Sequence, residues 1–243
     1  MKLFVFANRC TKEILRDPLN LVFGLGFPVV LLLLLSAIQA NIPVALFEID
    51  HLTPGIAVFG LSFLTLFSST LIAKDRESAL LQRLYTTPLS AADFILGYSL
   101  PLVPIAAAQC VVCCLVSVIL GLPVTIHLLF AVLLIIPVSV FQIALGLLCG
   151  SIFTSKQVGG ICGALLTNVS AWLSGIWFDL ELVGGTFQKI ANLLPFVHAV
   201  ELERAVFAGQ FGNIAPHLCV VLGYAAAAMI AAVLLFLRQM RRQ

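Results

Sequence analysis

The chain has 243 residues, of which 61% are apolar and only 10% are charged, whereas soluble domains contain about 45–50% apolar and about 25% charged residues. A water-soluble protein of 26.1 kDa has too little interior to bury so many apolar side chains. The formal net charge of +2 also provides no basic surface for nucleic acid. We therefore expect an all-α integral membrane protein in contact with the lipid bilayer, with residues 1–243 forming a single membrane domain.

Six stretches meet the length of about 20 apolar residues that a helical membrane span requires, and none contains Asp, Glu, Lys or Arg. They are Leu19 to Ala40, Pro54 to Ala73, Phe94 to Leu120, Ile126 to Phe153, Val158 to Phe178 and His217 to Leu237. The sequence thus predicts six transmembrane helices joined by short loops. The first stretch is longer than the apolar core of a signal peptide, so we expect it to be a span.

Residues 1–18 precede the first span and form an amphipathic pattern at helical spacing. Leu3, Phe6, Ala7, Cys10 and Ile14 share one face, and Lys2, Arg9, Lys12 and Arg16 lie on the other. Such a pattern is typical of an interfacial helix. Asp17-Pro18 ends it, because the residue before a proline is disfavoured in the helical conformation.

The distribution of basic residues predicts the orientation of the chain. An inside N-terminus leaves eleven of the thirteen Lys and Arg residues on the inner side, with only Lys189 and Arg204 outside. Six of the eleven acids, including Glu201 and Glu203, then face outwards. We therefore expect a multi-pass protein of the cell membrane with both termini in the cytoplasm.

Two segments between spans differ from plain loops. Residues 74–90, between the second and third spans, contain the densest charge cluster, and the pattern predicts a short cytoplasmic helix stopped at Pro88. Residues 179–216, before the last span, show two helical runs separated by Pro195, with Gly209 as a plausible C-terminal cap. The latter segment is interpreted as an outer re-entrant pair of helices. An ordinary amphipathic loop on the bilayer is the alternative.

The polar side chains predicted to lie at membrane depth are neutral, which disfavours coupling to an ion gradient. They include the candidates for a substrate path, Thr65, Gln109, Gln142, Thr167 and Asn168. Side chains of this kind more often join neighbouring helices than bind a substrate. The sequence also lacks the GxxxxGK[ST] motif of ATPases, any paired carboxylates in a dry pocket and any Ser-His-Asp set. We therefore expect no catalytic residue, no metal and no bound cofactor in this chain, which is not itself an enzyme.

Three segments together resemble the type-2 permease family of ATP-binding cassette (ABC) transporters, which export drugs, lipids and glycans. They are Arg16-Asp17-Pro18-Leu19, the stretch from Glu77-Ser78 to Thr87-Pro88-Leu89-Ser90, and Asn192-Leu193-Leu194-Pro195-Phe196-x-His198-Ala199-Val200-Glu201. Their order and setting cover nearly the whole chain. The sequence departs from the family pattern at Ala79, Leu80 and Gln82, where Gly, Thr and Glu are common.

The resemblance implies a half-transporter in which two copies of the chain pair, and each docks a separate cytoplasmic ABC ATPase that holds ATP and Mg. It implies an ATPase-coupling surface formed by Arg16, Asp17, Pro18, Asp75, Arg76, Glu77, Leu80, Leu81, Arg83, Leu84, Thr87 and Pro88. It also implies an outer gate that includes Pro195, Phe196, His198 and Glu201. The expected function is export of an amphipathic or lipid-like substrate. The alternatives are a membrane scaffold or sensor that recruits a cytoplasmic protein, and an ion-coupled secondary carrier.

Overall fold

The computed structural model describes residues 2–43, 47–78, 80 and 91–240, and within these ranges the chain is helical without strands. The first half contains α1 (Lys2–Leu15), α2 (Pro18–Leu21), a π-helical segment (Val22–Gly26), α3 (Phe27–Gln39), α4 (Ile49–Gly60), α5 (Ser62–Glu77), α6 (Ala91–Ser99) and α7 (Leu102–Ile119). The second half contains α8 (His127–Ile152), α9 (Ser155–Val158), a second π-helical segment (Gly159–Leu166), α10 (Thr167–Leu173), α11 (Leu180–Val183), α12 (Gly185–Leu193), α13 (Pro195–Phe207), a 3₁₀ turn (Phe211–Asn213) and α14 (Ile214–Met240).

Among the described residues, five helical segments are long and apolar enough to cross a membrane. They are Val22–Gln39, Ile49–Glu77, Ala92–Ile119, His127–Ile152 and Phe211–Arg238. Each corresponds to one of the six predicted spans, and the second and fifth extend beyond the predicted apolar stretch at both ends. The all-helical membrane fold is therefore confirmed with five candidate spans.

The predicted span Val158 to Phe178 is not among these five. The structure instead has a helical run from α9 through the second π-helical segment to α10, which ends at Leu173. A capping box starts it: the Thr154 hydroxyl accepts a hydrogen bond from the Gln157 amide, and the Gln157 side chain accepts one from the Thr154 amide. This run is less apolar than the five spans, because it contains Lys156, Gln157 and Asn168. A sixth span is therefore not confirmed.

Helix α8 lies at the centre of the bundle, where it packs against α5, α7, α13 and α14. Two glycines permit its close approach to α5. A Cβ atom on Gly146 would overlap Ser68 and the backbone of Thr65, and one on Gly150 would lie 2.6 Å from the carbonyl oxygen of Ser69. Small residues let helix backbones approach in this way within membranes.

The predicted inner and outer segments gather at opposite ends of the bundle. At one end, α1 packs on α6, and the end of α5 meets the connection between α8 and α9. At the other end, His127 packs against Phe211, and the start of α4 meets the end of α7 through Thr53 and Ser117. We call these the elbow end and the gate end.

The N-terminal helix is present as predicted, but its apolar face is covered by protein. Phe6, Ala7, Cys10 and Ile14 are buried. The Phe6 ring makes edge contacts with Phe94 and Tyr98, at centroid distances of 5.5 Å and 4.9 Å. A different set of apolar side chains on this helix, Phe4, Val5 and Leu15, remains exposed.

The two helical runs predicted within residues 179–216 correspond to α12 and α13, and the chain breaks between them at Leu194 and Pro195, as predicted. Gly209 follows α13 with a φ of +70°, which is the left-handed conformation expected of a C-terminal glycine. Helix α13 is largely buried against α4, α8 and α14. Helix α13 is therefore an integral part of the bundle packing at the gate end, whereas a re-entrant course of the segment is not confirmed.

Candidate functional site

The last turn of α5 places four consecutive charged residues against four different parts of the elbow end. Lys74 lies 3.9 Å from the Asp17 carboxylate in the turn after α1. Arg76 donates to the carbonyl oxygens of Ser151 and Phe153, where α8 ends. The Glu77 carboxylate accepts a 2.8 Å hydrogen bond from the Ser155 amide at the start of α9. The segment 74–77 thus joins the elbow helix to the connection between α8 and α9.

Asp75 is the buried member of this cluster, with 2% of its surface exposed. Each of its carboxylate oxygens accepts a 2.5 Å hydrogen bond from the Arg9 guanidinium. The Tyr98 hydroxyl donates a third hydrogen bond, of 2.7 Å, to the same carboxylate. Paired and bidentate hydrogen bonds of this kind are what a buried carboxylate requires to remain charged.

The ion pair of Arg9 and Asp75, together with burial, shifts the pKa values of titratable groups on α1. The Asp75 carboxylate, through its hydrogen bonds and its charge, raises the pKa of Arg9 further above its ordinary value. Burial raises the pKa of the Cys10 thiol to about 12, which keeps it protonated and unreactive. Burial also raises the pKa of Glu13, although its carboxylate lies 2.7 Å from Arg9. The elbow helix therefore carries a fixed positive charge that faces α5.

The predicted coupling residues divide into an internal and an exposed group. Asp75 and Arg76 turn towards the protein, whereas Arg16, Pro18 and Glu77 are exposed, and Asp17 and Leu80 are half-buried. A cavity of about 280 Å³ separates the elbow from α5, and it is lined in part by Glu13, Arg16, Asp17 and Lys74. Leu81, Arg83, Leu84, Thr87 and Pro88 lie outside the described residues.

Four of the five candidate substrate-path residues are buried and bonded within the bundle. The Thr65 hydroxyl lies 2.8 Å from Oε1 of Gln142, and the Gln109 amide donates to the carbonyl of Ala57 at 3.0 Å. Thr167 donates to the carbonyl of Cys162. Asn168 alone is exposed, and its amide donates to the carbonyl of Ala164. The structure does not bring these five residues together around one cavity.

At the gate end, the predicted residues lie along α13. The Phe196 ring packs against Phe141 at 5.9 Å. His198 and His217 join α13 to α14 through their Nδ1 atoms, 2.9 Å apart, and His198 Nε2 lies 2.9 Å from the carbonyl oxygen of Asn192. Because only Nε2–H can donate to that carbonyl, a neutral His198 accepts from His217 at Nδ1.

Glu201, another predicted gate residue, pairs with Arg204 at 2.9 Å. Both residues line an open cleft of about 670 Å³, which also borders Asp50, His51 and His217. Pro195 forms the first turn of α13. The predicted gate residues therefore share one helix, but only Glu201 among them faces this cleft.

Glu203 was counted among the acids on the outer side of the membrane, and the structure shows that its side chain does not reach a surface. Its side chain is completely buried, and neither carboxylate oxygen accepts a hydrogen bond from any residue that the structure describes. The sequence contains one indication of this burial, because the run Val200 to Phe207 is apolar apart from residues 201, 203 and 204. Residues 200 and 203, one helical turn apart, both lie on the buried face.

Comparison with known proteins decides the family. The sequence model of the ABC-2 type transporter family matches residues 1–208. This chain belongs to the ABC-2 type transporter family. A relative in Cyanophora paradoxa, named "Putative transport permease ycf38", is 30% identical over 218 residues, which cover 85% of this chain and 74% of that protein.

Membership identifies the chain as a membrane subunit of an ABC transporter. ABC-2 permeases are the transport component of such systems, are generally not enzymes themselves, and work with an ABC ATPase. The elbow, the charged turn at 74–77, and helices α12 and α13 up to Phe207 all fall within the matched region. The chain is accordingly a multi-pass permease of the ABC-2 type.

Proposed function

We propose that this ABC-2 permease is the membrane half of an ATP-driven exporter, which moves an amphipathic or lipid-like substrate out of the cytoplasm. A separate subunit hydrolyses ATP at the elbow end, which lies on the cytoplasmic side of the cell membrane. The observation that carries this proposal is the charged turn Lys74 to Glu77, which bonds to the elbow region and to the connection between α8 and α9.

The geometry of that turn supports a coupling role. A force applied to α1 would be transmitted through Asp75 to α5, and Arg76 and Glu77 connect the same turn to the end of α8 and the start of α9. Hydrogen bonds to charged groups are stronger than neutral ones, so these parts move as one unit. Arg16, Pro18 and Glu77 are exposed beside this unit and are suited to contact an ATPase.

A second copy of the chain packs, in this proposal, on the run from α9 to α10. Gly160, Ala164 and Asn168 follow each other at four-residue intervals and are all exposed. A Cβ on Gly160 would meet no atom within 4 Å. Small residues with one amide are typical of helix interfaces in membranes, whereas an exposed Asn facing hydrocarbon is costly.

The substrate assignment rests on the neutral character of the side chains at membrane depth. Thr65, Gln109, Gln142, Thr167 and Asn168 provide hydroxyls and amides but no charge, which suits an apolar cargo with a few polar groups. In the present conformation the bundle leaves little room beside Gln142, where a void of about 10 Å³ lies next to Phe196 and Ala199. Passage therefore requires the gate end to open.

The experiment that tests the proposal is transport in reconstituted vesicles containing the chain and its co-purified ATPase. A fluorescent phospholipid analogue and an amphipathic dye serve as probes. We expect ATP-dependent movement that persists when ionophores dissipate the ion gradients, and that stops when the Walker lysine of the ATPase is replaced by Ala. Movement that collapses with the gradients at constant ATP would identify a secondary carrier. Binding of a cytoplasmic protein without movement of any probe would favour the scaffold.

A further inference from the structure

Glu203 lies on the face of α13 that is turned away from the gate-end cleft. Glu201 and Arg204 line the cleft, whereas the side chain of Glu203 is buried in the interior. Its side chain has no exposed surface, and both oxygens lack a hydrogen-bond partner within the described part of the chain. Helix α13 therefore separates this carboxyl from the water of the cleft.

A carboxylate without a partner in such surroundings is very costly, and the carboxyl instead holds a proton. Helix α13 is not one of the five spanning helices, and burial raises the pKa of Glu203 well above its ordinary value. The second cause, which is smaller, is Cys114, and it also raises the pKa of Glu203. Glu203 therefore retains its proton as long as α13 is packed and keeps the carboxyl buried.

The other titratable groups on the elements around α13 do not reach Glu203. Asp50 and His51 of α4 face the cleft, as does His217 of α14, which pairs with His198. His127 of α8 packs against Phe211 and Gly209, and Lys189 of α12 is exposed. Within the described residues, the titratable groups coupled to this carboxyl are two thiols of α7, Cys114 and Cys110.

We propose that Glu203 is a proton-binding site of the permease, which holds a proton while α13 is packed and releases it to the cleft when the gate end opens. The step is a simple dissociation, in which the O–H bond of the carboxylic acid breaks and water in the cleft takes the proton. A displacement of α13 is sufficient, because the cleft already borders the opposite face of the same helix. Repacking of α13 requires the proton to return, so opening and closing depend on outer pH. The release step rests on the proposed gate function, whereas the binding of the proton does not.

Infrared spectroscopy of the purified permease in lipid nanodiscs tests the proton site without the ATPase. We expect the carbonyl stretch of a protonated carboxylic acid near neutral pH, and we expect E203Q to lack this band. Glu201→Gln is the matched control, since it removes a carboxylate from the same helix but on the cleft side, and it should retain the band. Absence of the band in the wild-type protein would overturn the proposal. If E203Q fails to fold, pH titration of the band in the wild-type protein and in E201Q gives the same test.

The complete complex tests the release step. During ATP hydrolysis the band should fall, and it should recover when ATP is exhausted. A band that stays constant during continued hydrolysis would contradict release while leaving the proton site in place. A chain that binds no ATPase would contradict the proposed function, and the spectrum of the permease alone would still decide whether Glu203 holds a proton.

Discussion

Arg9 and Asp75 are 66 residues apart in the sequence, and two hydrogen bonds of 2.5 Å join them at the elbow end. The pair fixes α1 against the last turn of α5, and Tyr98 of α6 completes the site. Because Asp75 is buried, Arg9 is the positive charge that makes its ionised form tolerable. This contact explains why the N-terminal helix packs on the bundle.

Removal of Arg9 should destabilise the protein, because Asp75 would remain buried and, among the described residues, would keep only the Tyr98 hydroxyl as a hydrogen-bond partner. We expect Arg9→Met to lower the free energy of unfolding by about 2–4 kcal/mol. This range is lower than the usual cost of breaking a fully buried ion pair, because 34% of the Arg9 side chain is exposed to solvent, which screens the charge. Thermal unfolding in nanodiscs measures the effect. Lys12→Met is the control: it removes an exposed positive charge from the same helix and should cost little.

A double-mutant cycle separates the pair from its parts. Asp75→Asn removes the charge that Arg9 neutralises, so the double variant R9M/D75N should recover part of the lost stability. We expect a coupling energy of about 1–3 kcal/mol, as is usual for residues in direct contact. Strictly additive effects of the two substitutions would show that the ion pair does not hold the elbow in place.

The close contact of α8 with α5 depends on glycine. Gly150→Ala would place a Cβ 2.6 Å from the carbonyl oxygen of Ser69, a backbone atom that cannot move aside. We expect a loss of about 1–3 kcal/mol, the usual cost of overpacking. Gly159→Ala has no atom within 4 Å of the new Cβ and should be neutral or slightly stabilising. Equal melting temperatures for the two variants would refute the packing argument.

The face proposed to pair two copies can be tested with a bulky side chain. Ala164→Trp would insert an indole beside Asn168 and should shift the purified permease from dimer to monomer in native mass spectrometry. Ala227→Trp is the control, because Ala227 is also exposed but lies on α14. Loss of the dimer in the control alone would place the interface on α14 instead.

The sequence predicted the helical fold well because apolar length and charge distribution follow directly from the lipid environment. Five spans and the two helices on either side of Leu194 agree with those expectations. The run from α9 to α10 was less predictable, since a span and a polar helix of mixed character differ by only a few residues such as Lys156 and Asn168. Periodicity alone does not decide between them.

The candidate site was predicted in part. Charge density located residues 74–77, but it did not indicate that Asp75 would be buried against Arg9, because ion pairs between distant segments depend on tertiary packing. The amphipathic pattern of α1 likewise did not distinguish a lipid surface from a protein surface. Charge counting assigned Glu203 to the outer side of the membrane, but such counting gives no information on which face of the helix the residue occupies.

The central claim is that this permease works with a separate ATPase, and a mild-detergent pull-down of the tagged chain from its own host tests it most directly. We predict a stoichiometric nucleotide-binding subunit, identified by mass spectrometry, that is lost when Glu77→Lys and Arg83→Glu are combined. Lys189→Glu, a charge reversal at the gate end, should retain the subunit. A clean wild-type preparation with no ATPase would contradict the account.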